Sequence, residues 1–327
     1  MTGDIGVSNR DEAHGQFLAY RDNVIPELAS WSERGERCAL VTLTGVDGNA
    51  PRAEGAQMAV SESGQYAGYI SGGCLENAIA LEAVAAIKAE EPRLLRYGKG
   101  SPYFDIRLPC GSGLNVFIQP ALDNALIRDM RDRMERREPF ALRIGLASGT
   151  GSLEAAAPGQ QSQQDGEDFV RVYTPPLRCL VIGSSPIAVK LAELAASAGF
   201  ETAFYAPDTE NVPSFPFPVS VYPLGSRPHF RADRWTAAVL AFHDHEKELP
   251  VFAELLNGPC FFITAIGSRN AHAARELSLA EAGFSKADIA RIQSPAGLVP
   301  GLKSASLVAV SILAQVVAAA RERHVIA

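Results

Sequence analysis

RCLVIGSSPIAVKLAELAASAG, residues 178–199, decides how the fold of this chain is read. Residues 178–182 have the β-branched, apolar character of a short strand. Gly183-Ser184-Ser185-Pro186 makes a turn, and the Ala- and Leu-rich run 187–198 reads as a helix that Gly199 ends. A second strand follows at 201–205. Further strands are expected at 237–242 and 260–266, with helices at 246–256 and 270–282. Strand and helix in alternation build a parallel, doubly wound sheet. The fold class is therefore α/β, with a C-terminal Rossmann-like domain.

The residues before it follow a different rhythm. Phe17, Tyr20, Val24, Leu28 and Trp31 recur at helical spacing, so 17–34 reads as one amphipathic helix. Strands are expected at 38–46, 57–61, 65–70, 94–97, 114–119, 140–146 and 169–173, with helices at 75–89 and 123–137. Residues 149–167 are poor in apolar side chains and rich in Gly, Gln and acids, the composition of a flexible loop. A smaller α+β domain, 1–174, thus precedes the Rossmann-like domain, 175–327, with the boundary at Thr174-Pro175-Pro176.

A chain of 327 residues with 47% hydrophobic and 20% charged residues has material for two cores. Its net charge of −7 argues against nucleic-acid or anionic-membrane binding, which rely on basic surfaces. No basic segment followed by an apolar run opens the sequence, and the apolar run 305–320 is interrupted by Ser and Gln. The expectation is a cytoplasmic, soluble protein. Five cysteines (Cys38, Cys74, Cys110, Cys179 and Cys260) form neither a CxxC pair nor an even disulfide framework.

A dinucleotide-binding turn reads G-x-G-x-x-G/A. Here Gly183 and Ala188 are present, but Ser185 replaces the glycine that lets the backbone approach a pyrophosphate. The end of the second strand carries Ala206, not an acid for the ribose, and Asp208 lies two residues on. NAD(P) binding is left without two of its direct contacts. Two other strand-end loops carry polar chemistry. His243-Asp244-His245-Glu246 reads either as a helix cap or as part of a zinc site, and Ser268 and Arg269 suit a phosphate.

Ile70-Ser71-Gly72-Gly73-Cys74-Leu75-Glu76 joins a strand to an Ala-rich helix. Such a junction leaves backbone N–H groups at a helix start, where the dipole favours anions. Gly72 and Gly73 permit close approach, and Cys74 sits where a thiol becomes a nucleophile or a soft metal ligand. The alternative is a glycine turn with a packed cysteine. Cys110, beside Gly111 in LPCGSG (108–113), has a similar setting and the same alternative. Arg52, in a turn-rich loop, is a candidate anion contact or a solvated arginine.

In order along the chain, GNAPR (48–52), GAQM (55–58), GYISGGCLE (68–76), LPCG (108–111), the Gly183 turn, HDHE (243–246), GSR (267–269), P-x-G-L (295–298) and SILA (311–314) resemble the xanthine dehydrogenase accessory protein (XdhC/CoxI) family. The resemblance spans nearly the whole chain. It implies a molybdenum-cofactor-binding maturation factor that protects the molybdopterin cofactor, helps sulfurate it and inserts it into a molybdenum hydroxylase of xanthine or aldehyde dehydrogenase type. That is the role of an accessory protein rather than a turnover enzyme. On this reading Cys74 and Cys110 contact the metal centre, and Ser71, Gly72, Gly73 and Gly111 line the cofactor. Arg52 meets an anionic group, and Gly183, Ser268 and Arg269 offer contacts in the second domain. The implied partners are the apo-hydroxylase and a cysteine-desulfurase-type sulfur donor; separately, a homodimer is expected for such a chain. Departures cluster in the second domain, where Val299 stands for a typical Asp, Ala305-Ser306 for Pro-Glu and Gln315 for Glu. Two other readings stay open: an NAD(P)-dependent oxidoreductase, and a docking partner that binds no cofactor.

Overall fold

The computed structural model describes residues 16–19, 21–101, 111–120, 122–157, 159–225, 228–242 and 248–326. The chain divides into two compact units, Met1–Pro175 and Pro176–Ala327.

The first unit begins with β1 (Gln16–Ala19) and α1 (Ile25–Glu33). The single helix expected over 17–34 is thus a strand and a shorter helix. Pro26 is the reason. It lacks an N–H and its ring would clash with the carbonyl four residues back, so it is tolerated only in a first turn. The helix starts there, and Asn23 Oδ1 accepts the Ile25 N–H at 3.1 Å.

There follow β2 (Cys38–Asp47), β3 (Gln57–Ser61), β4 (Gln65–Gly68), α2 (Glu76–Ala89), β5 (Arg93–Gly98) and β6 (Gly113–Pro120). With β1 they form a six-stranded sheet in the order β1-β4-β3-β2-β6-β5, antiparallel except for the β1–β4 pair. Side chains alternate across it. Ala39, Val41 and Leu43 join Ile79, Ala83 and Ile87 of α2 in one core, while Cys38 and Leu40 join Leu28 and Trp31 of α1 in another. Each fully buried Leu or Ile contributes about 1.5–3 kcal/mol.

The unit closes with α3 (Asn124–Glu135), β7 (Phe140–Gly145), β8 (Gly151–Ala155), β9 (Gln163–Asp165) and β10 (Asp168–Tyr173). The four strands form a second sheet in the order β8-β7-β10-β9. The flexible loop expected over 149–167 is corrected here, because that stretch supplies both edge strands. Their polar composition reflects exposed edges tied across strands, with Arg143 pairing to Glu154, Asp165 and Asp168.

The second unit runs β11 (Arg178–Gly183), α4 (Pro186–Ser197), β12 (Glu201–Ala206), β13 (Val219–Pro223), β14 (Thr236–Ala241), α5 (Glu248–Asn257), β15 (Phe262–Ala265), α6 (Arg269–Glu281), α7 (Lys286–Ile289), β16 (Ile292–Gln293) and α8 (Ala305–Glu322). All six strands are parallel, in the order β13-β12-β11-β14-β15-β16. Numbered within the unit this is 3-2-1-4-5-6, the Rossmann order. Strand β13 has no sequence signature, because Ser220, Val221, Tyr222 and Pro223 lie exposed on a sheet edge. Helix α8 packs through Ala309, Ile312, Val316 and Ala320 into the core shared with α4. It is also the one helix among the described residues long and apolar enough to cross a membrane.

Candidate functional site

Strand register gathers the first unit's motif loops. Asp47 and Gly98 both pair with Gly113, Thr42 pairs with Gln57, and Met58 pairs with Gly68. Strands β2, β4 and β5 therefore end, and β3 and β6 begin, at one edge of the sheet. Residues 48–56, 69–75 and 111–112 all emerge there.

Contacts join these loops. The position of a Cβ on Gly72 would lie 3.7 Å from Pro51, and one on Gly48 would lie 3.7 Å from Ser112. The Ser112 hydroxyl donates to the Asn49 carbonyl. The 48–52 loop thus touches both other segments. Gly111 is exposed with φ of +68°, and Cys110 lies outside the described residues.

The SGGC loop is organised by a residue that sequence reading assigned no role. Glu76, 2% exposed, folds its carboxylate back over the turn that precedes it. Oε1 accepts the N–H of Ile70 at 2.9 Å, of Ser71 at 2.7 Å and of Gly72 at 3.1 Å. Oε2 accepts the N–H of Gly73 at 2.9 Å and of Leu75 at 3.1 Å, and the Ser71 hydroxyl at 2.8 Å. Burial pushes this carboxyl up, but the Ser71 N–H and hydroxyl and the Ile70 N–H outweigh it and hold it below the usual range.

The expectation that Gly72 and Gly73 offer their N–H groups to a ligand is therefore corrected. Those donors serve the protein's own carboxylate. The glycines are needed for shape, with φ of +88° and +112°. The signal that could have found Glu76 is an acid in the first helical turn directly after a glycine turn, where the dipole favours it.

Ser71 links this cage to the thiol. Its Oγ accepts the Leu75 N–H at 2.9 Å and the Cys74 thiol at 3.3 Å while donating to Glu76. Cys74 is exposed, whereas Cys38, Cys179 and Cys260 are buried. Burial raises those three thiols, Cys38 to about 11 with help from Glu36, and Cys179 and Cys260 to about 12. Cys74 is thus the one exposed cysteine among the described residues. No group of three or more His, Cys, Asp or Glu among them is arranged to hold a metal ion.

Arg52 lies beside Pro51 in the same cluster. Its Nη1 donates to the Tyr69 hydroxyl at 2.6 Å, its guanidinium lies 4.0 Å from the Tyr69 ring centroid, and its Nη2 meets Asp22 at 2.5 Å. Tyr69 precedes Ile70, so Arg52 ties the two loops together.

In the second unit, the parallel registers put Gly183, Gly267 and Ser268 at the carboxyl edge of the sheet, where Rossmann folds bind ligands. Each has a packing duty. A Cβ on Gly183 would lie 2.4 Å from the Ala241 carbonyl oxygen, so β14 demands this glycine. Ser185, 2% exposed, turns its Oγ inward to accept the Ala188 N–H at 3.2 Å. The helix start that a pyrophosphate would use is capped by the protein. Asp208 is engaged locally, by Asn211 at 2.5 Å and the Glu210 N–H at 2.9 Å.

Ser268 likewise caps α6 through the Ala271 N–H at 3.2 Å. A Cβ on Gly267 would lie 3.0 Å from Arg275, whose guanidinium donates to the Ile266 carbonyl and pairs with buried Glu248. Arg269 is exposed at the start of α6. Residues 243–246 lie outside the described residues. The 295–298 and 311–315 motifs hold each other: Ser311 Oγ accepts the Val299 N–H at 2.8 Å, and Gln315 accepts from the Gly297 N–H at 2.7 Å while donating to the Pro295 carbonyl at 3.3 Å. A glutamate at 315 could do only the first of these.

These features define a two-unit α/β protein in which a Rossmann sheet has a self-capped dinucleotide turn and an α+β unit gathers three motif loops at one edge of its sheet, one of them carrying an exposed thiol. The XdhC Rossmann domain model matches residues 179–316, and the XdhC and CoxI family model matches residues 31–98. The molybdenum cofactor insertion chaperone PaoD of Escherichia coli (strain K12) is 32% identical over 282 residues, covering 86% of this chain and 83% of that protein. A probable xanthine dehydrogenase subunit of Bacillus subtilis (strain 168) is 25% identical, covering 87% of this chain and 94% of that protein. The crystal structure of a xanthine dehydrogenase from Bacillus halodurans shares the fold with a TM-score of 0.74 at 20% identity, covering 91% of this chain and 96% of that one. The chain belongs to the XdhC and CoxI family.

Proposed function

We propose that this protein is a carrier that binds molybdenum cofactor as cargo, protects it, assists its sulfuration and inserts it into a molybdenum hydroxylase. The observation that carries this reading is the exposed Cys74 thiol, set on a caged loop beside the Arg52 loop. A thiol is a soft ligand suited to a sulfur-ligated metal centre, and a guanidinium suits an anionic phosphate. An exposed site on a rigid turn also suits a carrier, which must take up and release its cargo. The name of the Escherichia coli relative supports the same reading.

The partners of such a carrier are the apo-hydroxylase, a sulfur donor of cysteine-desulfurase type and a second copy of the chain, in the cytoplasm. The self-capped turn at Ser185 and the packed Gly183 favour no dinucleotide chemistry in the second unit. The test is to incubate the purified protein with extracted cofactor, pass it through gel filtration and assay the bound pterin by fluorescence. The bound fraction is then offered to an apo-hydroxylase. Pterin that co-elutes and restores activity is the expected result. A protein that elutes free of pterin yet co-purifies with the hydroxylase would show a docking partner instead.

A further inference from the structure

The caged SGGC turn removes the backbone N–H groups as an anion site, so an anionic part of the cargo needs another cation. Arg52 and Arg171 answer that need. Arg171, on β10, packs its Cδ within 3.0 Å of where a Cβ on Gly55 would lie, three residues after Arg52. Its guanidinium lies 4.8 Å from the Tyr173 ring centroid, and both of its hydrogen bonds leave from Nη1, to Ser162 Oγ at 3.1 Å and to the Val172 carbonyl at 2.5 Å.

Among the described residues, no carboxylate forms an ion pair with Arg171, and nothing accepts from its Nε. Arg52 shows the same lack at its own buried Nε, and its carboxylate partner, Asp22, has a side chain 76% exposed. Burial pulls the Arg171 guanidinium down and the nearby Arg52 charge adds to that, while Tyr173 and Asp22 act the other way. Two guanidiniums held near each other with one solvated carboxylate beside them form a local excess of positive charge. Buried charge is costly unless it is paired, and a fork of N–H groups is the standard partner of a phosphate oxygen pair.

We infer that Arg52 and Arg171 together bind a phosphate-class oxyanion, which displaces Asp22 from the Arg52 guanidinium. This rests on the proposed carrier reading only for the ligand's identity: there the oxyanion is the phosphate end of the pterin cargo, held beside the Cys74 loop. Arg171 lies outside every motif that the family resemblance rests on, and its strand position gave no sequence signal.

The test uses the full chain at low chloride, titrated with inorganic phosphate and with pyrophosphate, followed by calorimetry and by the melting temperature. One saturable site is expected in the wild type, weakened at least tenfold in Arg52→Gln and in Arg171→Gln and unchanged in Arg136→Gln. Arg136 makes a surface pair with Glu138 and serves as the control. Where Arg171→Gln does not fold, Arg52→Gln and Arg171→Lys carry the test, the lysine keeping the charge and losing the fork. No saturable binding by the wild type, or equal binding by all variants, overturns the site. Phosphate binding without pterin binding keeps the site and overturns the carrier reading. Pterin binding that is equal in wild type and variants, with no phosphate binding, keeps the carrier reading and overturns the site.

Discussion

Ser71 gives both its N–H and its hydroxyl to Glu76, at 2.7 and 2.8 Å, one to each carboxylate oxygen. The pair shapes the loop that presents Cys74. A glycine turn at a helix start normally offers its donors to an outside anion. Here the protein has supplied the anion, and the turn acts as a rigid mount for a thiol.

Replacing that anion should be costly. Glu76→Gln keeps the size but loses one acceptor and the charge, leaving loop N–H groups unsatisfied. A loss of about 2–3 kcal/mol is expected in urea unfolding. A loss below about 0.5 kcal/mol, the size of an ordinary surface change, would show that the cage is not structural.

The same carboxylate has a pH signature. Its folded value lies below the ordinary 4.5, so its contribution is complete above 4.5 and is lost as pH falls through the folded value. Stability profiles of wild type and Glu76→Gln should converge as pH drops below 4.5. Parallel profiles across that window would contradict the assignment.

Thiol labelling separates the cysteines. Iodoacetamide at neutral pH should modify Cys74 in the folded protein and leave Cys38, Cys179 and Cys260 intact until denaturant is added. Burial and the raised values of those three set this order. Peptide mapping by mass spectrometry reads the result, and labelling of any of the three at the rate of Cys74 would refute it.

The turn after β11 offers a third kind of check. Ser185→Ala removes the cap on α4 and should cost about 1 kcal/mol. Gly183→Ala places a Cβ against the Ala241 carbonyl and should cost more. Neither variant nor wild type should give saturable micromolar binding of a nicotinamide dinucleotide by calorimetry. Such binding by wild type, lost in Gly183→Ala at unchanged fold, would return the second unit to dinucleotide chemistry.

Much of this was legible in the chain. The alternation around residues 178–282 carried the Rossmann sheet, because buried parallel strands are apolar runs bounded by turns. The SGGC turn and its helix were legible from glycine and alanine alone. What escaped was set by tertiary partners. Residues 149–167 looked disordered because edge strands exposed to solvent need few apolar side chains. Residues 17–19 looked helical because spacing cannot see that Pro26 forces a later start. Glu76 and Arg171 were missed as partners because one folds back onto its own turn and the other packs at Gly55, far away in the sequence.

The most direct measurement is pterin retention after gel filtration by wild type, Cys74→Ala and Ser185→Ala loaded with the same extracted cofactor. Retention by wild type and Ser185→Ala, with a drop of at least tenfold in Cys74→Ala, is the result expected if the first unit's loops hold the cargo through this thiol. Equal retention by all three would contradict that role for Cys74.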